Sequence, residues 1–207
     1  MDGAAYDALI VAGGSARRLG GADKPALDVG GQSLLARVVG ATADAEQLVV
    51  VGPRRPLPER HEAVTWCVED PAGGGPVAAI ATGLLHTRAD VVVVLAADLP
   101  WVAPAVPVLR ATVGAAVGAT VGAADVAVLV DGSGRRNHLA AAWRRTALVA
   151  AVDRLGEPSG ARVRDLFATV RVAAVPDPHG WGRDCDTWDD VAAARSAAQD
   201  ASRSSPA

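Results

Sequence analysis

Ala8-Leu9-Ile10-Val11-Ala12-Gly13-Gly14-Ser15-Ala16-Arg17-Arg18-Leu19-Gly20-Gly21-Ala22-Asp23-Lys24 is the stretch on which the reading of this chain turns. A short apolar run stops at paired glycines, which reads as a buried first strand entering a loop. Glycines at that point let the backbone pass close to a ligand with its N–H groups turned inward. Arg17, Arg18 and Lys24 then supply positive charge and donors suited to phosphate oxygens. The Gly-Lys-Ser/Thr ending of a P-loop is absent, and the glycine spacing is not that of a dinucleotide fingerprint.

Working outward, Ser33 is suited to cap a helix running to about Thr42. Apolar runs at 48–51, 64–68, 91–97, 126–130 and 170–175 read as strands, with 91–97 the most apolar. Residues 77–85 and 192–198 read as helical, and the Gly-rich segment 111–124 as a loosely packed helix. Strands alternating with helices predict a single three-layer α/β/α domain with a mostly parallel central sheet. Ligands of such sheets sit beyond the carboxyl ends of the strands, here Gly13-Gly14, Gly52, Glu69-Asp70 and Asp98. The domain is expected over 1–195, and the Ser- and Ala-rich residues 196–207 as a disordered tail.

Composition excludes other classes. Of 207 residues, 50% are hydrophobic but only 3% aromatic, so Ala, Val and Leu must do most of the packing. A net charge of −3 gives no footprint for nucleic acid. Segment 111–124, the longest uncharged one, is too short to span a bilayer. Cys67 and Cys185 form no disulfide framework, and Asp2 and Asp7 precede the first strand without a signal peptide, so a cytoplasmic protein without membrane contact is expected. The five tryptophans read as packing residues, with Trp181, set between Gly180 and Gly182, the one to watch.

Three further segments carry chemistry. Asp98, at the end of the most apolar run, can be held rigidly at the crevice, where a carboxylate can hold a metal ion. In Asp184-Cys185-Asp186-Thr187-Trp188-Asp189-Asp190, either Asp186 or Thr187 can cap the next helix, or Asp186 reaches a metal or acceptor. Arg135-Arg136-Asn137-His138 reads either as an anion-binding patch or as a solvated turn.

The glycine-rich loop resembles the signature loop of the molybdenum cofactor guanylyltransferases, within the wider nucleotidyltransferase group. Gly13, Gly14, Arg18, Gly20, Asp23 and Lys24 match that pattern, Arg17 matches many members, and Asp70, Gly75-Pro76 and Asp98 fit the later motifs. The resemblance implies a fold like that of the nucleotide-diphospho-sugar transferases. It also implies an NTP held by Ala12, Gly13, Gly14, Ser15, Arg17, Lys24, Asp70 and Asp98, with Arg18, Lys24 and Asp98 catalytic. Mg2+ would lie on Asp98 and Asp186, and an acceptor on Arg136 and His138. The implied reaction is transfer of GMP from GTP to the phosphate of molybdopterin with loss of pyrophosphate, with transient contact to molybdenum-cofactor enzymes or their chaperones. Two departures stand out: Trp188 replaces a usual proline, and Gly52-Pro53-Arg54-Arg55 stands where guanylyltransferases often place an asparagine. The same fold acting with CTP or on a sugar phosphate is the alternative, and a non-catalytic nucleotide-binding module is the alternative of another class.

Overall fold

The computed structural model describes residues 5–14, 19–58, 63–114 and 123–204. Strand β1 (Tyr6–Val11) is buried along its whole length. Its one charged residue, Asp7, is fully buried, and its carboxylate accepts from the backbone N–H groups of Gln47 (3.0 Å), Arg88 and Ala89 (2.8 Å). A buried carboxylate is tolerated when it is hydrogen-bonded in this way. Here it ties the start of β1 to the chain entering its two neighbouring strands.

After β1 comes a single 3-10 turn, Lys24–Ala26, and the small antiparallel pair β2 (Asp28–Val29) and β3 (Gln32–Ser33). Helix α1 (Leu34–Ala41) starts as the sequence predicts, with the Ser33 hydroxyl accepting from the Ala36 N–H at 3.1 Å. Then follow β4 (Leu48–Val51), β5 (Val64–Cys67), α2 (Pro76–Leu84), β6 (Val91–Ala96), α3 (Ala105–Gly114) and β7 (Val126–Val130). The chain goes on through β8 (Arg136–Arg144), α4 (Arg145–Leu155), β9 (Val172–Pro176) and α5 (Trp188–Ser204).

The main sheet has the order β5-β4-β1-β6-β8-β7-β9. Strands β5, β4, β1 and β6 are parallel, β8 runs against both β6 and β7, and β9 is parallel to β7. Alternate residues of the strands feed two cores. Ala8 and Ile10 pack with Leu35 of α1 and Leu109 of α3, while Leu9 and Val11 pack with Ile80 of α2 and Leu148 of α4. The mostly parallel sheet therefore lies between two helical layers, which is why its strands read as continuous apolar runs. Helix α2 comes so close to the sheet that a Cβ on Gly83 would stand 2.6 Å from Leu9 Cδ1.

Three features differ from the sequence reading. Strand β8 was not anticipated, because Ala140-Ala141-Ala142 carries no local strand signal. Residues 111–114 end α3 rather than begin a helix, and 115–122 lie outside the described residues. Segment 196–204, expected as a disordered tail, is the second half of α5; Ala198 within it, like Ala194 a turn earlier, buries against Val29 and Leu34. Apolar spacing on one face of the helix outweighs the Ser- and Ala-rich composition there. Among the described residues, no helix is long and apolar enough to cross a membrane.

Candidate active site

The carboxyl ends of β1 and β6 open into a crevice of about 310 Å³. Gly13 and Gly14 form its floor beyond β1, and Gly14 has φ +124°, a conformation side chains rarely adopt. Beyond β6, the Ala97 N–H donates to the Val11 carbonyl at 3.0 Å, which holds the following Asp98 beside the glycine loop. Gly75 and Pro76 at the start of α2 form another wall.

Lys24 enters from the 3-10 turn and lies between two carboxylates. Its ammonium pairs with Asp98 Oδ2 and donates to Asp186 Oδ1 at 2.6 Å, across a separation of 162 residues. The Lys24 and Asp98 side chains are 14% and 18% exposed, whereas Asp186 is 43% exposed and forms the open edge. Burial alone would depress the lysine, but the charge of Asp98 and the bonds to both carboxylates outweigh it and raise its pKa. Asp98 Oδ1 is buried and has no hydrogen-bond partner among the described residues. Asp184 nearby has a raised pKa, first from burial and then from the charges of Asp186 and Asp98. Two carboxylates, Asp98 and Asp186, thus share the Lys24 ammonium.

The two readings of Asp186 separate here. Thr187 caps α5: its N–H and hydroxyl donate to Asp190 Oδ2 at 2.8 and 2.6 Å, and the Asp190 N–H donates back at 3.2 Å. Asp186 turns to Lys24 instead. The loop that carries it is held by Asp177, whose carboxylate accepts from the Trp181 and Gly182 N–H groups at 2.8 Å. Asn137 Nδ2 adds a bond to the Gly182 carbonyl at 2.7 Å. Trp181 packs against the core and is a packing residue, as read from the sequence.

A second hollow, of about 680 Å³, adjoins the first and shares Leu139 with it. Arg136 and His138 both line it, together with Arg183, His179 and Asp184. The His138 pKa is lowered, first by burial and then by the charges of Arg136 and Arg164, and its ring meets Phe167 edge-on at 4.7 Å. The register of β7 against β8 shifts between Val128 and Leu129, so His138 and Leu139 fall in an irregular stretch at the junction of the hollows.

The structure therefore brings Gly13, Gly14, Lys24, Asp98 and Asp186 together in one crevice, next to Arg136 and His138 in the other. Ala12 lies buried beneath the loop. Ser15, Arg17 and Arg18 lie outside the described residues. Asp70 is exposed and does not line the crevice; of the adjacent pair Glu69-Asp70, Glu69 lines it. The Asp70 N–H donates to Thr82 Oγ1 at 3.3 Å, which anchors its backbone to α2. Glu69 instead stands 3.5 Å from the position of a Cβ on Gly13. Sequence reasoning passed over Asp177, and it read Asn137 only as part of the 135–138 segment, not as a support for the Gly182 loop.

Among the described residues, no group of three or more His, Cys, Asp or Glu side chains is arranged to hold a metal. Two carboxylates, one of them with a buried oxygen lacking a partner, suit a cation that brings phosphate and water ligands of its own.

The MobA-like NTP transferase domain family matches residues 8–175. A Natronomonas pharaonis protein named "Probable molybdenum cofactor guanylyltransferase" is 36% identical over 102 residues, 46% of this chain and 50% of that protein. A molybdenum cofactor guanylyltransferase of Shewanella frigidimarina is 31% identical over 96 residues, 45% of this chain and 49% of that protein. The match thus spans about half the length of these curated relatives. Among solved structures, molybdopterin-guanine dinucleotide biosynthesis protein A from Archaeoglobus fulgidus aligns with a TM-score of 0.69 at 21% identity, covering 94% of this chain and 99% of that one. A nucleotidyl transferase from Methanothermobacter thermautotroptrophicus aligns with a TM-score of 0.73 at 18% identity, covering 95% and 99%. At such identities the likeness is one of fold, and the family match rests on the sequence. With 8–175 covering most of the sheet and the glycine loop, the chain belongs to the MobA-like NTP transferase family.

Proposed function

We propose that the protein transfers GMP from GTP to the phosphate of molybdopterin cofactor and releases pyrophosphate. The observation that carries this reading is the Lys24 ammonium held between Asp98 and Asp186 beside the Gly13-Gly14 loop, where an arginine-lined hollow adjoins the crevice. The names of the curated relatives support the choice of GTP and molybdopterin.

The reaction joins two anions. An acceptor phosphate oxygen attacks the α-phosphorus, the bond to the β-phosphate oxygen breaks, and pyrophosphate leaves with the electron pair. A phosphate nucleophile is already ionised at neutral pH, so no general base is needed, and catalysis reduces to positioning and charge. Lys24 swings from the carboxylates and brings its positive charge to the triphosphate oxygens. Arg17 and Arg18 serve the same phosphates. Arg136 draws the acceptor phosphate into the second hollow, while His138 shapes its wall.

Asp98 and Asp186 would hold Mg2+, for which one or two carboxylates plus phosphates are an ordinary ligand set. When bound, the ion neutralises charge on the triphosphate as a Lewis acid. The free cysteines Cys67 and Cys185 and the use of GTP fit a cytoplasmic setting, with transient contacts to the enzymes or chaperones that take the product.

Gly52-Pro53-Arg54-Arg55, in place of the expected asparagine, favours a second reading in which the same chemistry uses CTP or a sugar phosphate. Pyrophosphate release by the purified protein, measured for each NTP with Mg2+ and with or without molybdopterin, separates the two. Cofactor-dependent release selective for GTP supports the first reading. Selectivity for another pair supports the second, and nucleotide binding without release under any pairing contradicts both.

A further inference from the structure

Arg55 does not line the crevice, yet its side chain is only 12% exposed. We propose that Arg55 is a positioning residue for the nucleotide loop, fastening Ala12 at the start of that loop to Asp23 at its end and so setting where Lys24 stands. The inference rests on the reading above only in taking the ligand to be an NTP.

The sequence places Arg55 for this task. Gly52 follows β4 with φ +146°, and a Cβ there would stand 2.8 Å from the carbonyl carbon and oxygen of Ala12. Glycine thus lets the chain leave β4 pressed against the point where β1 becomes the loop. Three residues on, Arg55 reaches back. Its Nη1 donates to the Ala12 carbonyl and to the Pro53 carbonyl, each at 3.0 Å. Its Nε donates to both Asp23 oxygens at 2.9 Å, and Nη2 lies 2.7 Å from Asp23 Oδ1.

Asp23 is the residue from which the turn carrying Lys24 starts. Its carbonyl accepts from the Ala26 N–H at 2.9 Å, but its side chain makes no capping bond to the turn. The carboxylate that could cap that turn is committed to Arg55. Because Asp23 matches the guanidinium charge, Arg55 adds little field at the phosphates. Its contribution is geometric: a planar fork that binds a carboxylate and two carbonyls at once, which an ammonium cannot reproduce.

The test measures Mg-NTP affinity by calorimetry, with the melting temperature of each protein, for wild type, Arg55→Met, Arg55→Lys, Asp23→Asn and the Arg55→Met/Asp23→Asn double variant. Loop displacement of a fraction of an ångström is expected to weaken the preferred NTP by at least about tenfold in Arg55→Met and in Asp23→Asn. The double variant is expected to bind no more weakly than the worse single one, because both remove the same link. Arg55→Lys is expected to recover only part of the loss. If Arg55→Met fails to fold, Arg55→Lys and Asp23→Asn still report. Wild-type affinity in the folded Arg55 variants, full rescue by lysine, or losses that multiply in the double variant would each overturn the inference. A wild-type protein that binds no NTP would overturn the functional reading and this inference with it.

Discussion

Replacing Lys24 by Met should make the nucleotide-free protein bind a divalent cation more tightly, although it removes a residue meant for substrate. The ammonium sits on Asp98 Oδ2 and 2.6 Å from Asp186 Oδ1, so it occupies the ground a cation held by those carboxylates needs. Unit charges 4 Å apart interact by about 4 kcal/mol at an effective dielectric of 20, so a divalent ion and an ammonium at that spacing would repel by about 8 kcal/mol. Lys24 can swing aside and the Asp186 edge is 43% exposed, which screens much of that repulsion. A residual of about 1.4 to 2.8 kcal/mol corresponds to roughly tenfold to hundredfold in affinity. Mn2+ titrations followed by electron paramagnetic resonance, without nucleotide, read this directly. Lys24→Met is expected to bind Mn2+ at least about tenfold more tightly than wild type, while its affinity for Mn-GTP falls. Folded Lys24→Met that binds Mn2+ no better than wild type would refute the reasoning, since the ammonium would then not be standing in the cation's place.

The remaining expectations use the same structure. Asp98→Asn should cut pyrophosphate release by at least about 100-fold, with the melting temperature nearly unchanged; normal turnover would remove Asp98 from the mechanism. Asp7→Ala leaves three N–H donors without their acceptor and should cost about 3–5 kcal/mol, visible as a melting temperature lower by roughly 6–20 °C; an unchanged midpoint would contradict the network at Asp7. The lowered pKa of His138 means that the folded chain takes up its proton less readily than the unfolded chain. Stability is therefore full above the ordinary imidazole value of about 6.5 and falls as the pH drops through it toward the folded value. His138→Gln should lose less stability between about pH 7 and 5 than wild type does, and parallel melting curves across that range would count against this role of the half-buried imidazole.

The sequence by itself determined the strands that carry the site. The runs ending at Gly13-Gly14 and at Asp98 are apolar on both faces because helices cover both faces, and that is a local, additive signal. Ser33 as a cap and the Thr187–Asp190 box are equally local, since each closes within three residues. Other features needed the closed fold. Lys24 and Asp186 meet across 162 residues because α5 packs on Val29 of β2 and Leu34 of α1, and no spacing rule spans that distance. Whether Glu69 or Asp70 faces the crevice depends on how the chain leaves β5, and adjacent carboxylates are indistinguishable to a motif. Asp7 reads as an acidic residue near a terminus but is fully buried, because Gln47, Arg88 and Ala89 present their N–H groups to it. Strand β8 is the clearest case: Ala140-Ala141-Ala142 favours a helix locally, and the open edges of β6 and β7 hold it extended. Local propensity is worth tenths of a kcal/mol per residue, so where two sheet edges offer a full ladder of hydrogen bonds, tertiary pairing decides.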